Sequence, residues 1–158
     1  MSNSPELQHP VLEQLSKYAQ FYDHLSFSIM QFVSMGTNAV INMDTYVYMS
    51  MQGTLESMID ILKKGRINDA YALLRKYYDA ATINIYTILY LEDNFSIDNF
   101  VVEKIENWRN GKEQLPTIRV MNSYLQKSEK IKKIYNLLQK DKRYSKLRER
   151  CNDHMHYN

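Results

Sequence analysis

The chain has 158 residues, 44% apolar and 24% charged, with four Gly, three Pro and a formal net charge of +2. That length suits one domain with a real core, and the scarcity of Gly and Pro excludes collagenous, loop-rich and disordered chains and disfavours β-sandwiches. The single Cys151 excludes an internal disulfide and a Cys-based zinc cage, so a reducing, cytoplasmic setting is the expectation. No run reaches the length of a membrane span, and "MSNSPELQHP" lacks the basic and apolar regions of a signal peptide, so a soluble protein without membrane contacts is expected.

The first helix is predicted from Pro10 to about Met35, with Leu12, Leu15, Ala19, Tyr22, Leu25, Ile29 and Phe32 spaced by threes and fours and Gly36 ending it. His9 reads as an end residue and His24 as an interface-facing side chain. A second helix, from about Met43 to Lys64, carries Val47, Met51, Leu55, Met58 and Leu62 on one stripe and stops at "KKG", with Gly65 beyond. "VINMDTYVYM" has some period-2 character, but no hairpin turn offers it a partner.

Asn68 or Asp69 can cap a third helix running to about Glu92, and its apolar positions nearly encircle it, as expected of a helix surrounded by others. "SIDNFVVEKIENWRNGKEQLPT" reads as a short helix closed by Gly111, with Trp108 as a packing anchor, followed by a loop to Pro116 and a helix from Thr117 to about Gln126. Residues 128–139 place Ile131, Ile134, Tyr135 and Leu138 at helical spacing among Lys residues, and the last helix starts near Asp141. Together these predict an all-α, up-and-down bundle of four to six helices in one domain over residues 1–158, with the second and third helices as its long antiparallel pair.

Charge is unevenly distributed. Residues 1–126 are net −4, whereas 127–150 carry ten Lys and Arg against three acids, net +7. Clustered cations attract phosphate at range and release counterions on contact, so RNA is a candidate partner; a solvated pair of helices gives the same pattern.

The last eleven residues, "RERCNDHMHYN", hold two Arg, two Asn, an Asp and two of the four His. A neutral imidazole can take a proton from a ribose 2′-hydroxyl, a guanidinium can grip the adjacent phosphodiester, and the amide of Asn152 can orient an imidazole or bind phosphate. On a continuous helix His154 and His156 point about 200° apart, so one protomer does not bring both to one small site. Asn152 shares a face with His156, and Arg150 shares one with His154.

At these residues the chain resembles the HEPN superfamily of helical-bundle domains from toxin and abortive-infection proteins, whose signature is Arg, four to six residues, then His. Arg148 to His154 and Arg150 to His156 each fit that spacing, and "CNDHMH" matches the favoured RNxxxH form with Cys151 where Arg would stand. The resemblance covers about residues 45–158, including the paired helices "GTLESMIDILKKGRINDAYALLRKYYDAATINIYTILYL". It implies metal-independent RNA cleavage in a cleft between two copies, with His156 or His154 as general acid/base, Arg150 or Arg148 as phosphate ligand, Asn152 as orienting group, and no cofactor. It also implies a homodimer and an antitoxin or nucleotidyltransferase partner in a toxin/antitoxin or phage-defence system; Tyr157, directly after His156, departs from the usual spacing of a modified Tyr. Because His156 lies two residues from the end, where helices fray, use of the motif goes with this chain being the N-terminal part of a longer protein.

A second polar constellation is Arg75 with Asp79, four apart in the third helix, which Glu56 and Asp60 of the second can face. It reads as a structural ion pair or, third in order, as the centre of an unrelated enzyme; the absence of any Glu-x-x-His element argues against di-iron chemistry. The main alternative to RNA cleavage is a non-catalytic helical module that docks a partner protein or nucleic acid through its basic C-terminal helices.

Overall fold

The computed structural model describes residues 9–32, 38–98 and 101–155. The protein is an all-α helical bundle, and no strand forms among the described residues. Its α-helices are α1 (Pro10–Phe32), α2 (Asn38–Lys63), α3 (Ile67–Asn94), α4 (Glu103–Arg109), α5 (Ile118–Lys127), α6 (Lys132–Gln139) and α7 (Arg143–Met155), with 3₁₀ turns at Glu129–Ile131 and Lys140–Lys142. No helix among the described residues is long and apolar enough to cross a membrane.

The boundaries differ from the sequence reading in four places, each for a local reason. α2 begins at Asn38 rather than Met43, so "VINMDTYVYM" is helical despite its alternation, which lacked a pairing partner. α3 begins at Ile67, which puts Asn68 and Asp69 inside its first turn instead of at its cap. α5 runs Ile118–Lys127 because Thr117 is its N-cap, the hydroxyl accepting from the Val120 amide at 3.4 Å. α7 begins at Arg143 because Asp141 and Lys142 adopt φ values of 58° and 55°, which break the helix before it. α1 starts at Pro10 as expected, and His9 Nδ1 accepts from the Val11 amide at 3.2 Å. The expected end at Gly36 lies outside the described residues.

Two glycines set the turns. Gly65, at φ 71°, closes α2 in a Schellman arrangement: its amide donates to the Leu62 carbonyl at 2.9 Å and the Arg66 amide to Ile61 at 3.1 Å. Gly111, at φ 67°, repeats the device after α4, with its amide on Trp108 and the Lys112 amide on Asn107. Both conformations favour a residue without Cβ.

The chain divides into two compact units. The first takes Met1–Tyr78 and Arg148–Asn158. In it α1 packs along α2, and the buried Ala19, Leu55 and Met58 meet Leu15, Tyr22, Leu73, Leu74 and Tyr77. The Tyr22 and Tyr77 hydroxyls share a hydrogen bond at 2.9 Å, and burial, followed by that bond, pushes the Tyr77 hydroxyl well above the ordinary phenol range.

The second unit, Asp79–Leu147, is built on aromatics. Tyr86, Leu89, Trp108, Met121 and Leu125 are buried, and the rings of Tyr86, Tyr90, Trp108 and Tyr124 lie 5.2–6.1 Å apart in tilted and edge-on pairs, the arrangement ring quadrupoles favour. Trp108 is thus the packing anchor its place in the sequence suggested. At the rim, Tyr124 donates to Asp93 at 2.6 Å, while Lys130 Nζ reaches Glu92 at 2.7 Å and Asp93 at 3.3 Å. The Tyr124 hydroxyl and then Lys130 hold the Asp93 carboxyl below its ordinary value of 3.8.

Two outcomes follow from this architecture. Gly53 lies within α2, and a Cβ there meets nothing within 4 Å; Gly53→Ala should therefore raise unfolding stability by about 0.5–1 kcal/mol in denaturant titration, through reduced backbone entropy of the unfolded chain. A carboxyl whose native pKa is depressed stabilises the fold above its unfolded value and loses that contribution as pH falls through the native one. The stability gap between wild type and Asp93→Asn should accordingly be full above about pH 5 and shrink below about pH 4, and a gap constant across that range contradicts the assignment.

Candidate functional site

The candidate site lies within the first unit, where the end of α7 meets the start of α3. α7 is strongly polar, and its one fully buried side chain is Cys151, at 1% exposure. At about 100° per residue, Asn152 and His154 fall on opposite edges of the stripe centred on Cys151. Both reach α3, but at different places.

On one edge, Arg75 Nη1 donates to Asn152 Oδ1. On the other, the imidazole of His154 lies flat on the ring of Tyr71, with centroids 4.1 Å apart and planes 2° from parallel, and its Nδ1 is 2.9 Å from Asn68 Oδ1. Asn68, Tyr71 and Arg75 stand at i, i+3 and i+7 of α3, so a single stripe over its first turns receives both edges of α7.

His154 is half-buried, so its ring is held but not sealed from solvent. At the turn into α3, a concavity of about 350 Å³ is lined by Gly65, Arg66, Ile67, Asn68 and Asp69. Asn68 belongs to both the concavity and the imidazole. Arg66, at the mouth, is ion-paired with Asp69.

The residues picked from the sequence are thus partly gathered. Arg150 is exposed and stands one turn before His154 on the same edge of α7, while Arg148 is half-buried towards the Cys151 stripe. The Asn152 oxygen is engaged by Arg75, and the amide oxygen that faces the described imidazole is that of Asn68. His156 and Tyr157 lie outside the described residues. Asp79 is half-buried one turn beyond Arg75 and belongs to the second unit. Glu56 is exposed and accepts from Gln52 at 3.1 Å, and Asp60 is also exposed. Among the described residues no group of three or more His, Cys, Asp or Glu is placed to hold a metal ion.

Asn68 and Tyr71 were not singled out by sequence as site residues. Asn68 reads as a helix cap and Tyr71 as core. The signal that points to them is the polar and aromatic stripe Asn68, Tyr71, Arg75 at helical spacing, which becomes informative only once α7 is known to lie on it. No protein-family model, curated protein or solved structure matches the chain.

The burial of Cys151 makes the docking of α7 measurable. A thiol without solvent access does not react, and this chain has no other. Native protein should be unreactive towards Ellman's reagent and release one equivalent of thiol on denaturation; rapid reaction of the native protein contradicts the packing.

Proposed function

We propose that this chain is a HEPN-like domain that cleaves single-stranded RNA without a metal ion, in a toxin/antitoxin or phage-defence setting, working as a homodimer. The observation that carries the reading is that Arg150 and His154 stand one turn apart on one edge of α7, the guanidinium exposed and the ring half-buried. Imidazole and guanidinium one helical turn apart match what phosphodiester cleavage needs: a base for the 2′-hydroxyl and a fixed cation for the phosphate.

In the proposed reaction, His154 takes the 2′-hydroxyl proton, the 2′-oxygen forms a bond to phosphorus, and the bond from phosphorus to the 5′-oxygen breaks. The leaving oxygen takes a proton from an imidazolium of the second copy, which is why a dimer belongs to the reading. Products are a 2′,3′-cyclic phosphate and a 5′-hydroxyl. Arg150 holds the phosphate as its charge grows, and Arg148, Asn152 and His156 remain candidates for the second half of the cleft.

A second reading has its own support. On α6, Ile134, Leu137 and Leu138 are 59%, 63% and 45% exposed, in a segment that also carries the exposed Lys133 and, just after it, Lys140. An apolar edge among cations suits an acidic, amphipathic protein segment better than RNA alone, and so fits a non-catalytic docking module.

Purified protein in EDTA should cut single-stranded RNA to cyclic-phosphate ends, and His154→Ala should lower the rate by about 10²–10⁴-fold, the usual contribution of a general base. Cleavage that survives His154→Ala together with His156→Ala overturns the ribonuclease. Absent cleavage combined with partner affinity that is lost on reversing charge at Lys132, Lys133 and Arg143 supports the docking module instead.

A further inference from the structure

We propose that Asn68 is the positioning residue of His154, fixing which ring nitrogen carries the proton. The amide oxygen of Asn has lone pairs and no hydrogen, so a bond of 2.9 Å between Asn68 Oδ1 and His154 Nδ1 requires the ring to be the donor. The proton of the neutral imidazole therefore sits on Nδ1, and Nε2 keeps its lone pair. This reverses the preference of a free histidine side chain, which favours the proton on Nε2.

Tyr71 completes the hold. With ring planes 2° from parallel and centroids 4.1 Å apart, turning the imidazole about its Cβ–Cγ bond swings it off the face of Tyr71 and loses the stack. A half-turn of the ring would restore the stack but set Cδ2 in place of Nδ1 and so lose the bond to Asn68. The arrangement also survives proton uptake: imidazolium donates from both nitrogens, so the bond to Asn68 is kept while Nε2 gains and loses a proton.

Asn68 itself sits in the first turn of α3, directly after the Gly65 turn, and contributes to the wall of the concavity. A ligand entering there meets the residue that orients the imidazole. The catalytic consequence rests on the ribonuclease reading; the tautomer does not.

The test uses the full chain labelled with ¹⁵N, reading His154 nitrogen shifts through two-bond couplings to the ring protons in the neutral state, with the signals assigned by their loss in His154→Ala. Wild type should show a protonated Nδ1 and an unprotonated Nε2. Asn68→Ala should move the proton to Nε2 and lower RNA cleavage by roughly 10–100-fold, the usual cost of losing an orienting partner. Asn68→Asp, which keeps an acceptor oxygen, should restore the Nδ1–H form and most of the rate, which excludes a merely structural loss. A wild-type ring protonated on Nε2, or a tautomer unchanged in Asn68→Ala, overturns the proposal. The expected tautomer in a protein that cuts no RNA upholds Asn68 as the orienting residue and removes the ribonuclease instead.

Discussion

Contact between a polar helix and the start of α3 is the constraint on which the candidate site depends. α7 offers little apolar surface, and a helix of 13 residues is marginal by itself in water. Among the contacts that hold it are a buried thiol, a flat ring stack and side-chain hydrogen bonds to Arg75 and Asn68. Two of these groups, His154 and Asn68, also belong to the proposed site. Fixing α7 and orienting its imidazole are therefore one event, and the stripe Asn68, Tyr71, Arg75 sets both.

The second unit solves a different problem. Its helices α4 and α5 are short, 7 and 10 residues, and pack on a shared aromatic centre. Tyr86, Tyr90, Trp108 and Tyr124 supply large apolar area with directional ring contacts, and the Asp93, Tyr124 and Lys130 cluster ties α5 and the turn after it to the end of α3. Tyr22, Tyr77, Tyr86, Tyr90 and Tyr124 are thus explained as packing, whereas Tyr71 meets a candidate catalytic ring. α6 retains exposed Ile134 and Leu137, and the cations of residues 127–150 lie on it and on both sides of it.

Much of this was legible in the amino-acid order. Pro10, Gly65, Gly111 and Thr117 act through local backbone chemistry and mark the ends of α1, α2, α4 and α5 without help from distant residues. Trp108 announces a core by size alone. What stayed hidden is tertiary. Arg75 and Asn152 are 77 positions apart, and Asn68 and His154 are 86 apart. Nothing local distinguishes an Asn that caps a helix from one that reaches a ring on another, so Asn68 read as a cap. Asn152 was placed by helical spacing on the face of His156, which lies outside the described residues, and no local signal pairs Asn152 with Arg75 on another helix. The left-handed Asp141 and Lys142 were equally silent, since neither is the glycine that usually signals such a turn.

The most direct test of this account is a double-mutant cycle between Tyr71 and His154, with unfolding free energies measured for wild type, Tyr71→Ala, His154→Ala and the double variant. If the ring stack holds α7 to α3, the two residues should be coupled by about 0.5–1.5 kcal/mol, the range of aromatic pairs beyond simple area burial. Strictly additive effects, with coupling indistinguishable from zero, would show that the rings do not meet and that the site is not assembled as described.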